Sequence, residues 1–170
     1  MSSKSWGCAR RHSRRSGTPR TRGTFYTRLV TTTIIDDLCR ALDPGPPLRL
    51  AVLFGSGARG GLRADSDLDV GIVPRDPDLP LTVELDLQTR LERASLRHVD
   101  LVRLDRASTL LRWEAARLAV LILADPPREF MRFVADAALE HADFVSAFGP
   151  AAERFRRRLL TLPNGSSPAA

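Results

Sequence analysis

Two aspartates that follow a glycine-rich turn form the most informative pattern in this chain. Gly55 and Ser56 come directly after a short apolar run at 48–54, which predicts a turn after a buried strand. Glycine lets backbone N–H groups approach phosphate oxygens closely, and the Ser56 hydroxyl can donate a further hydrogen bond. Asp67 and Asp69 lie two apart on the next predicted strand, so they share one face. This combination suits metal-assisted chemistry at a phosphate, as nucleotidyl transfer requires.

The paired carboxylates predict a bound cation. Two bare carboxylates on one strand face repel each other and contribute nothing to a sheet. A divalent cation removes that repulsion, and ligands that are all oxygen suit Mg²⁺ or Mn²⁺. Arg59, just after the turn, adds a planar positive charge for a phosphate.

Two other phosphate-binding motifs are inconsistent with this spacing. Gly55, Gly57 and Gly60 spell G-x-G-x-x-G, and Asp76 follows where a dinucleotide-binding fold would have an acidic residue. That fold needs a crossover helix of about ten residues or more, whereas only residues 61–66 precede the next strand. A Walker A loop would require a Gly-Lys-Ser/Thr, which does not follow. A purely structural turn with solvated strand-end aspartates is the plain alternative.

The motif G-S-x-A-R-G-x₅-S-D-x-D resembles that of the minimal nucleotidyltransferases, small members of the DNA polymerase β-like superfamily. The matching positions are Gly55, Ser56, Ala58, Arg59, Gly60, Ser66, Asp67 and Asp69. The family has a third carboxylate on a later strand, commonly in a Val-Asp-Leu-Val context, and Asp100 lies in that context. Taken alone, Asp100 would be a strand-end surface residue. The resemblance covers about residues 48–148 and implies an α/β fold like the polymerase β palm, with a small mixed sheet flanked by helices.

The resemblance also implies roles for these residues. Asp67, Asp69 and Asp100 would be catalytic and would hold two Mg²⁺ ions around ATP, with Asp100 taking the proton from the acceptor hydroxyl. The implied nucleotide-binding residues are Gly55, Ser56, Arg59, Gly60 and Ser66. The similarity is greatest to the antitoxin branch, whose members pair with a HEPN-type ribonuclease toxin and are thought to silence it by transferring AMP onto a tyrosine.

Two other functions are compatible with the same motif. An aminoglycoside-type nucleotidyltransferase usually has a second substrate-binding domain, and the residues after Asp100 predict only a helical extension. An antitoxin that inhibits by binding alone would not need Asp67, Asp69 and Asp100, so the presence of all three argues against it.

The net charge of +6 is unevenly distributed. Residues 1–30 carry eight basic and no acidic side chains, whereas residues 31–149 carry 14 basic and 19 acidic ones. Since a nucleic-acid-binding domain normally has a basic face, we expect no nucleic-acid partner. We predict a disordered basic tail at 1–23. This tail either has no function or is a transit peptide. A nucleotidyltransferase domain at 24–149 and a flexible tail at 150–170 would follow.

The cysteines and the apolar runs predict a cytoplasmic protein. Cys8 and Cys39 are far apart and match no metal-site spacing, so we expect reduced thiols. The most apolar run, 118–124, falls far short of the ~20 residues of a membrane span.

Hydrophobic periodicity predicts the elements that position the motif. Helices are expected at 24–42, 80–96, 107–119 and 127–148, the last stopped by Gly149-Pro150. Strands are expected at 48–54, 68–73 and 98–104, and 120–123 is ambiguous between helix and strand.

Several other noticeable residues have plain structural interpretations. His141 is expected to be a partly buried helix histidine, His98 a hydrogen-bonded strand-end residue and Trp113 a core residue. Helix 127–148 should have a solvated acidic face made of Asp136, Glu140 and Asp143. The basic residues at 156–158 fit a frayed terminus.

Overall fold

A four-stranded mixed sheet forms the centre of the computed structural model, which describes residues 33–58 and 66–160. Its strands are β1 (Leu48–Phe54), β2 (Leu68–Pro74), β3 (Val99–Arg103) and β4 (Val120–Ala124), in the order β3-β2-β1-β4. β1 is antiparallel to both β2 and β4, whereas β2 and β3 are parallel. The three predicted strands are confirmed, and the ambiguous segment is the edge strand β4.

The antiparallel pairing of β1 and β2 excludes a dinucleotide-binding fold, in which the glycine turn would lead into a parallel β-α-β unit. Parallel strands need a long crossover, and here the crossover is between β2 and β3. It is supplied by α3, Leu81–Ser95, with Pro80 at its N-cap position and Leu96 ending it in a left-handed conformation at φ 54°.

Four further helices accompany the sheet. Helix α1 is described over residues 33–42, which confirms that part of the predicted helix; 24–32 lie outside the described residues, as do 1–23 and 161–170. A single helical turn, α2 (Gly55–Ala58), follows β1 directly and was not predicted. α4 (Thr109–Arg117) begins at Ser108, whose side chain accepts a hydrogen bond from the Leu111 backbone N–H. The last helix is α5, Arg128–Leu160.

Both faces of the sheet are covered by helices. On one face, the apolar residues of α1 and α3 pack on the sheet through Leu38, Leu42, Leu87 and Leu91. On the other face, α4 and α5 contribute Ala115, Ala116, Phe133 and Ala137. Along β2, alternate residues face opposite layers: Leu68, Val70 and Ile72 belong to the first layer. Asp69 and Gly71, between them, therefore face the layer of α4 and α5.

The predicted end of the last helix is wrong. α5 continues through Gly149 and Pro150 to Leu160. An internal proline removes one hydrogen bond from the helix, and its ring clashes with the preceding turn. The following segment AAERFRRRLL consists of strong helix formers. It is also stabilised by ion pairs of Glu153 with Arg156 and Arg157, three and four residues ahead. The basic residues at 156–158 are therefore helical and not frayed.

One other sequence interpretation needs correction. Trp113 is half-buried and not a core residue, and it stacks on His141 with ring centroids 4.6 Å apart. His141 is partly buried on its helix, as predicted. Cys39 is half-buried in α1, and Cys8 lies outside the described residues, so the predicted redox state of the thiols stays a prediction. Among residues 33–58 and 66–160, no helix is long and apolar enough to cross a membrane.

A partly buried arginine ties the end of β3 to α3. The Arg103 side chain, 10% exposed, forms two hydrogen bonds with Asp105, of 2.9 and 2.7 Å, one with Glu84, and one of 2.9 Å with the Pro77 carbonyl. Burial alone would raise the pKa of Asp105, but the Arg103 hydrogen bonds and charge outweigh it, so this pKa lies below its usual value. The hydrogen bond with Asp105 is the main cause of the raised pKa of Arg103.

Arg103→Met should lower the free energy of unfolding by ~2–3 kcal/mol at neutral pH, because Glu84 and Asp105 lose their donor. The folded pKa of Asp105 lies below its unfolded value of about 3.9. The stabilisation that the ionised Asp105 gives to the folded state is therefore fully present above the unfolded pKa and is lost as the pH falls through the folded pKa. Urea titrations at about pH 7 and about pH 3 should show the difference between wild type and variant shrinking in acid.

The neighbouring Arg106→Met provides the control. Arg106 is 56% exposed and its ion pair with Asp78 spans 3.5 Å, so its loss should cost no more than ~0.5 kcal/mol. Equal costs for the two variants would contradict the role assigned to Arg103.

Candidate active site

The strand register brings the three predicted carboxylates to one end of the sheet. Asp69 on β2 is the direct partner of Asp100 on the parallel strand β3 and of Phe54 on β1. Asp67 lies one residue before β2 begins. Residues paired directly across neighbouring strands have side chains on the same face, so Asp69 and Asp100 lie side by side. The fold therefore pairs Asp69 with Asp100, and Asp67 lies two residues before Asp69.

Electrostatics show that the other two carboxylates act on Asp69. Partial burial raises the pKa of Asp69, and the negative charges of Asp100 and Asp67 raise it further, while a backbone hydrogen bond acts in the opposite direction. Asp67 is exposed, and the Asp100 side chain is 59% exposed. The site therefore concentrates negative charge around one half-buried carboxylate with two more accessible ones beside it.

Gly55 is required by the position of Asp69. A Cβ atom at Gly55 would lie 2.0 Å from the Asp69 Oδ2 atom, far inside van der Waals contact, and its φ of +65° is one that side-chain-bearing residues rarely adopt. Glycine here therefore lets the turn after β1 close against the carboxylate. This role differs from the predicted one, in which the glycines approach a phosphate, although one residue can serve both.

The remaining predicted binding residues are partly placed. Ser56 is exposed in the first turn of α2, beside the end of β1. Ser66 is half-buried just ahead of Asp67. Arg59 and Gly60 lie outside the described residues, so their predicted contact with a nucleotide stays a prediction.

Sequence reasoning missed Arg97, which holds the segment that carries Asp67. Its Nη1 atom donates a 3.1 Å hydrogen bond to the Ser66 carbonyl, and the Leu68 backbone N–H donates a 3.0 Å bond to the His98 carbonyl. Both contacts join the start of β2 to the turn before β3. Only the parallel pairing of these strands could have indicated Arg97, because it is 31 residues from Ser66 in the sequence.

His98 lies between two carboxylates at the edge of the site. Its Nδ1 is 3.7 Å from Asp100 Oδ1, and its Nε2 is 3.7 Å from Glu92 Oε1. The ring is 59% exposed, which agrees with the strand-end position predicted for it. Glu92 also accepts a 3.3 Å hydrogen bond from the Val99 backbone N–H.

The donors at this end of the sheet match in chemical type the cation that the motif implies. Within the described ranges, no three His, Cys, Asp or Glu side chains are already placed as a metal-binding group. The donors that gather here, on Asp67, Asp69 and Asp100, are nevertheless all carboxylate oxygens, and the raised pKa of Asp69 reflects like charges close together. In chemical type these residues fit a hard divalent cation, which would relieve that repulsion.

Gly55→Ala should destabilise the protein by ~2 kcal/mol, because the new Cβ meets Asp69 in a left-handed backbone conformation. Gly149→Ala in α5 is the matched control: its Cβ would come no closer than 3.9 Å to its nearest neighbour, so it should stabilise the helix by up to ~1 kcal/mol. Urea unfolding measures both. Unchanged stability of Gly55→Ala would show that the turn does not close on Asp69.

Comparison with known proteins supports the same assignment. The family model of polymerase β nucleotidyltransferases matches residues 38–127, which is more than half of the chain and includes Asp67, Asp69 and Asp100. No curated protein matches the chain.

Several solved structures share the fold. A crystal structure of a toxin–antitoxin with AMP-PNP superposes with a TM-score of 0.63 and 22% identity, covering 72% of this chain and 98% of the other. A crystal structure of the toxin–antitoxin MntA–HepT superposes with a TM-score of 0.56 and 23% identity, covering 76% of this chain and 98% of the other. A structure of a tri-AMPylated Shewanella oneidensis HEPN toxin in complex with an MNT antitoxin superposes with a TM-score of 0.56 and 22% identity. The match covers 76% of this chain and 98% of the other.

Identities this low show a common fold and nothing beyond it. The family model carries the assignment further, because it matches the sequence itself across the strands and turns that gather the carboxylates. The chain belongs to the polymerase β nucleotidyltransferase family, as its motif predicted.

Proposed function

We propose that this protein transfers AMP from ATP to a hydroxyl group of another protein, a tyrosine of a HEPN-type toxin, and so acts as an antitoxin. The observation that carries the proposal is the direct pairing of Asp69 with Asp100, with Asp67 two residues ahead of Asp69. This arrangement is suited to attack by a hydroxyl on a phosphate held beside the carboxylates.

The carboxylates are the residues that would hold the cation. Asp67 and Asp69 would bind two Mg²⁺ ions, or Mn²⁺ in their place. Asp100 would share the second ion. When bound, the ions would neutralise the triphosphate and polarise the α-phosphate. Ser56 and the Gly55 amide, at the end of β1, would bind the outer phosphates, together with Ser66 and the predicted residues Arg59 and Gly60.

Asp100 is the residue suited to the proton transfer. The acceptor oxygen forms a bond to the α-phosphorus while the bond to pyrophosphate breaks, and the proton of the acceptor hydroxyl passes to the Asp100 carboxylate. The 59% exposure of its side chain leaves room for an acceptor on the surface of a second protein. Asp69 is more buried, so it is better placed to bind the cation than to contact the acceptor.

The comparisons support the proposed partner and donor. Among structures with this fold, one contains a tri-AMPylated HEPN toxin and another contains AMP-PNP. We therefore take a HEPN toxin as the partner and ATP as the donor. The need for ATP also favours the predicted cytoplasmic location.

The architecture favours a protein acceptor over a small molecule. After β3, the described residues form α4, β4 and α5, and all three pack on the nucleotidyltransferase sheet or extend from it. An aminoglycoside-type enzyme would instead use a second domain to enclose its substrate. An open site beside an exposed Asp100 suits an acceptor that brings its own surface.

Replacing both Asp67 and Asp69 by Asn should abolish AMP transfer while the fold survives. The loss of two repelling charges should leave stability unchanged or raise it by ~0.2–1 kcal/mol. The assay uses labelled ATP and a purified HEPN protein encoded beside this gene, with circular dichroism to verify folding. Asp86→Asn on the exposed side of α3 is the matched control and should transfer AMP normally. Undiminished labelling by the double variant would remove these residues from the mechanism.

Asp100→Asn should damage the chemical step more than nucleotide binding. Loss of a general base should slow single-turnover transfer by roughly 10²- to 10⁴-fold, while ATP affinity changes little because Asp67 and Asp69 remain. Calorimetric titration with ATP and Mg²⁺, beside the single-turnover rate, measures both. A rate close to that of the wild type would make Asp100 a surface residue without a role in proton transfer.

A further inference from the structure

Asp67 is the carboxylate of the site that the sheet itself holds least. It lies one residue before β2 begins, whereas Asp69 and Asp100 lie inside paired strands. The register between β1 and β2 ends where Phe54 is paired with Asp69, so it stops short of Asp67. The position of Asp67 therefore depends on contacts outside the pairing of β1 with β2.

The turn before β3 binds both peptide groups that meet at the Cα atom of Asp67. On one side, the carbonyl oxygen of Ser66 accepts a 3.1 Å hydrogen bond from Nη1 of Arg97. On the other side, the Leu68 backbone N–H donates a 3.0 Å hydrogen bond to the His98 carbonyl. Because a peptide group is planar, fixing both flanking groups fixes the two backbone torsions of Asp67. This turn thereby sets the direction in which the carboxylate of Asp67 leaves the backbone.

The end of α3 fixes the backbone on both sides of Arg97. The helix ends at Leu96, which has a left-handed φ of 54° and directly precedes Arg97. On the other side, the Val99 backbone N–H donates a 3.3 Å hydrogen bond to the Glu92 carboxylate in the last turn of α3. The half-buried Arg97 side chain therefore starts from a fixed backbone. A cation just beyond the C-terminus of a helix is also stabilised by the helix dipole.

The same turn connects Asp67 to the other carboxylates. Asp100 lies three residues after Arg97 in the sequence and is the direct partner of Asp69. A donor that holds the Asp67 segment from this turn therefore fixes Asp67 relative to Asp100. Mg²⁺ demands near-ideal octahedral geometry from its ligands, so a loosely held Asp67 should reduce the affinity for the cation.

We propose that Arg97 is a positioning residue of the cation site and sets its affinity for a divalent cation by fixing the backbone at Asp67. Arg97 acts through the Ser66 carbonyl and not through contact with the cation. The proposal rests on the proposed function, because it takes Asp67, Asp69 and Asp100 as the cation ligands. It goes beyond that function, because the residue that strengthens cation binding is itself positively charged.

The sign of the effect separates positioning from charge. If charge alone mattered, removal of a positive charge near the site should strengthen cation binding. Arg97→Met should instead weaken it by about 10- to 100-fold, the range found when residues that orient metal ligands are replaced. Arg97→Lys keeps the charge and a hydrogen-bond donor, so it should recover part of the affinity.

The first measurement is Mn²⁺ binding to the full chain, followed by the electron paramagnetic resonance signal of free Mn²⁺. Arg93→Met is the matched control, because Arg93 is an exposed arginine in the last turn of the same helix. Its loss should leave the Mn²⁺ affinity unchanged or slightly raised. The double variant of Asp67 and Asp69 to Asn defines the binding that occurs elsewhere on the protein. Urea unfolding verifies that the Arg97 variants are folded under the assay conditions.

The second measurement is the Mg²⁺ dependence of AMP transfer to a HEPN partner. For Arg97→Met, the Mg²⁺ concentration at half-maximal rate should rise by about 10-fold or more, while the rate at saturating Mg²⁺ changes little. A variant that is merely less folded would instead have a lower rate at the same half-maximal concentration.

The outcomes distinguish this proposal from the proposed function. A Mn²⁺ affinity of Arg97→Met equal to or above that of the wild type would overturn the positioning role and leave the proposed function intact. Equal weakening by Arg93→Met and Arg97→Met would also overturn it, because the effect would not depend on the contact with Ser66. If the wild type bound no more Mn²⁺ than the double aspartate variant, the cation site and the positioning role would fail together.

Discussion

The repulsion between carboxylates held side by side is the constraint around which this fold is organised. Asp69 and Asp100 are paired directly by the parallel register of β2 and β3, and Asp67 adds a third negative charge that raises the pKa of Asp69. A sheet gains no stability from such a cluster. The fold holds the cluster in place through the crossover helix α3, the hydrogen bond from Arg97 to the Ser66 carbonyl and a glycine at position 55. Local costs of this kind are expected at functional sites, and the proposed role of these charges is to bind a cation and a nucleotide.

The same constraint explains why the two ends of the sheet differ. Among the described residues, none covers the exposed side chains of Asp67 and Asp100 at the end of the sheet near Gly55, and Asp69 and Asp100 face the layer that α4 and α5 cover elsewhere. The opposite end is closed by Arg103, which binds Glu84 and Asp105. Rigid packing at one end therefore supports the site at the other, and the proposed protein acceptor would need such access.

The sequence predicted those features that depend on local chemistry. The spacing of glycine and aspartate excluded a parallel connection between the first two strands, because an intervening segment of six residues cannot form a parallel crossover, and β1 and β2 are antiparallel. Arg97 could not be predicted, since its contact with Ser66 exists only after β2 and β3 pair. Trp113 was placed in the core from its type alone, whereas its half-buried position depends on how α4 crosses α5 at His141. At Gly149 and Pro150 the local stop signal was outweighed by the helix-forming residues that follow, and this segment forms the last part of α5.

The central claim is that the carboxylate cluster directs transfer of the α-phosphoryl group of ATP with its nucleoside attached. The most direct measurement is a pair of parallel reactions with a HEPN partner, one with ATP labelled at the α-phosphate and one with ATP labelled at the γ-phosphate. The account predicts that the α-label becomes attached to the partner protein while the γ-label is released as pyrophosphate. Attachment of the γ-label, or of neither label while the partner is still inhibited, would contradict it.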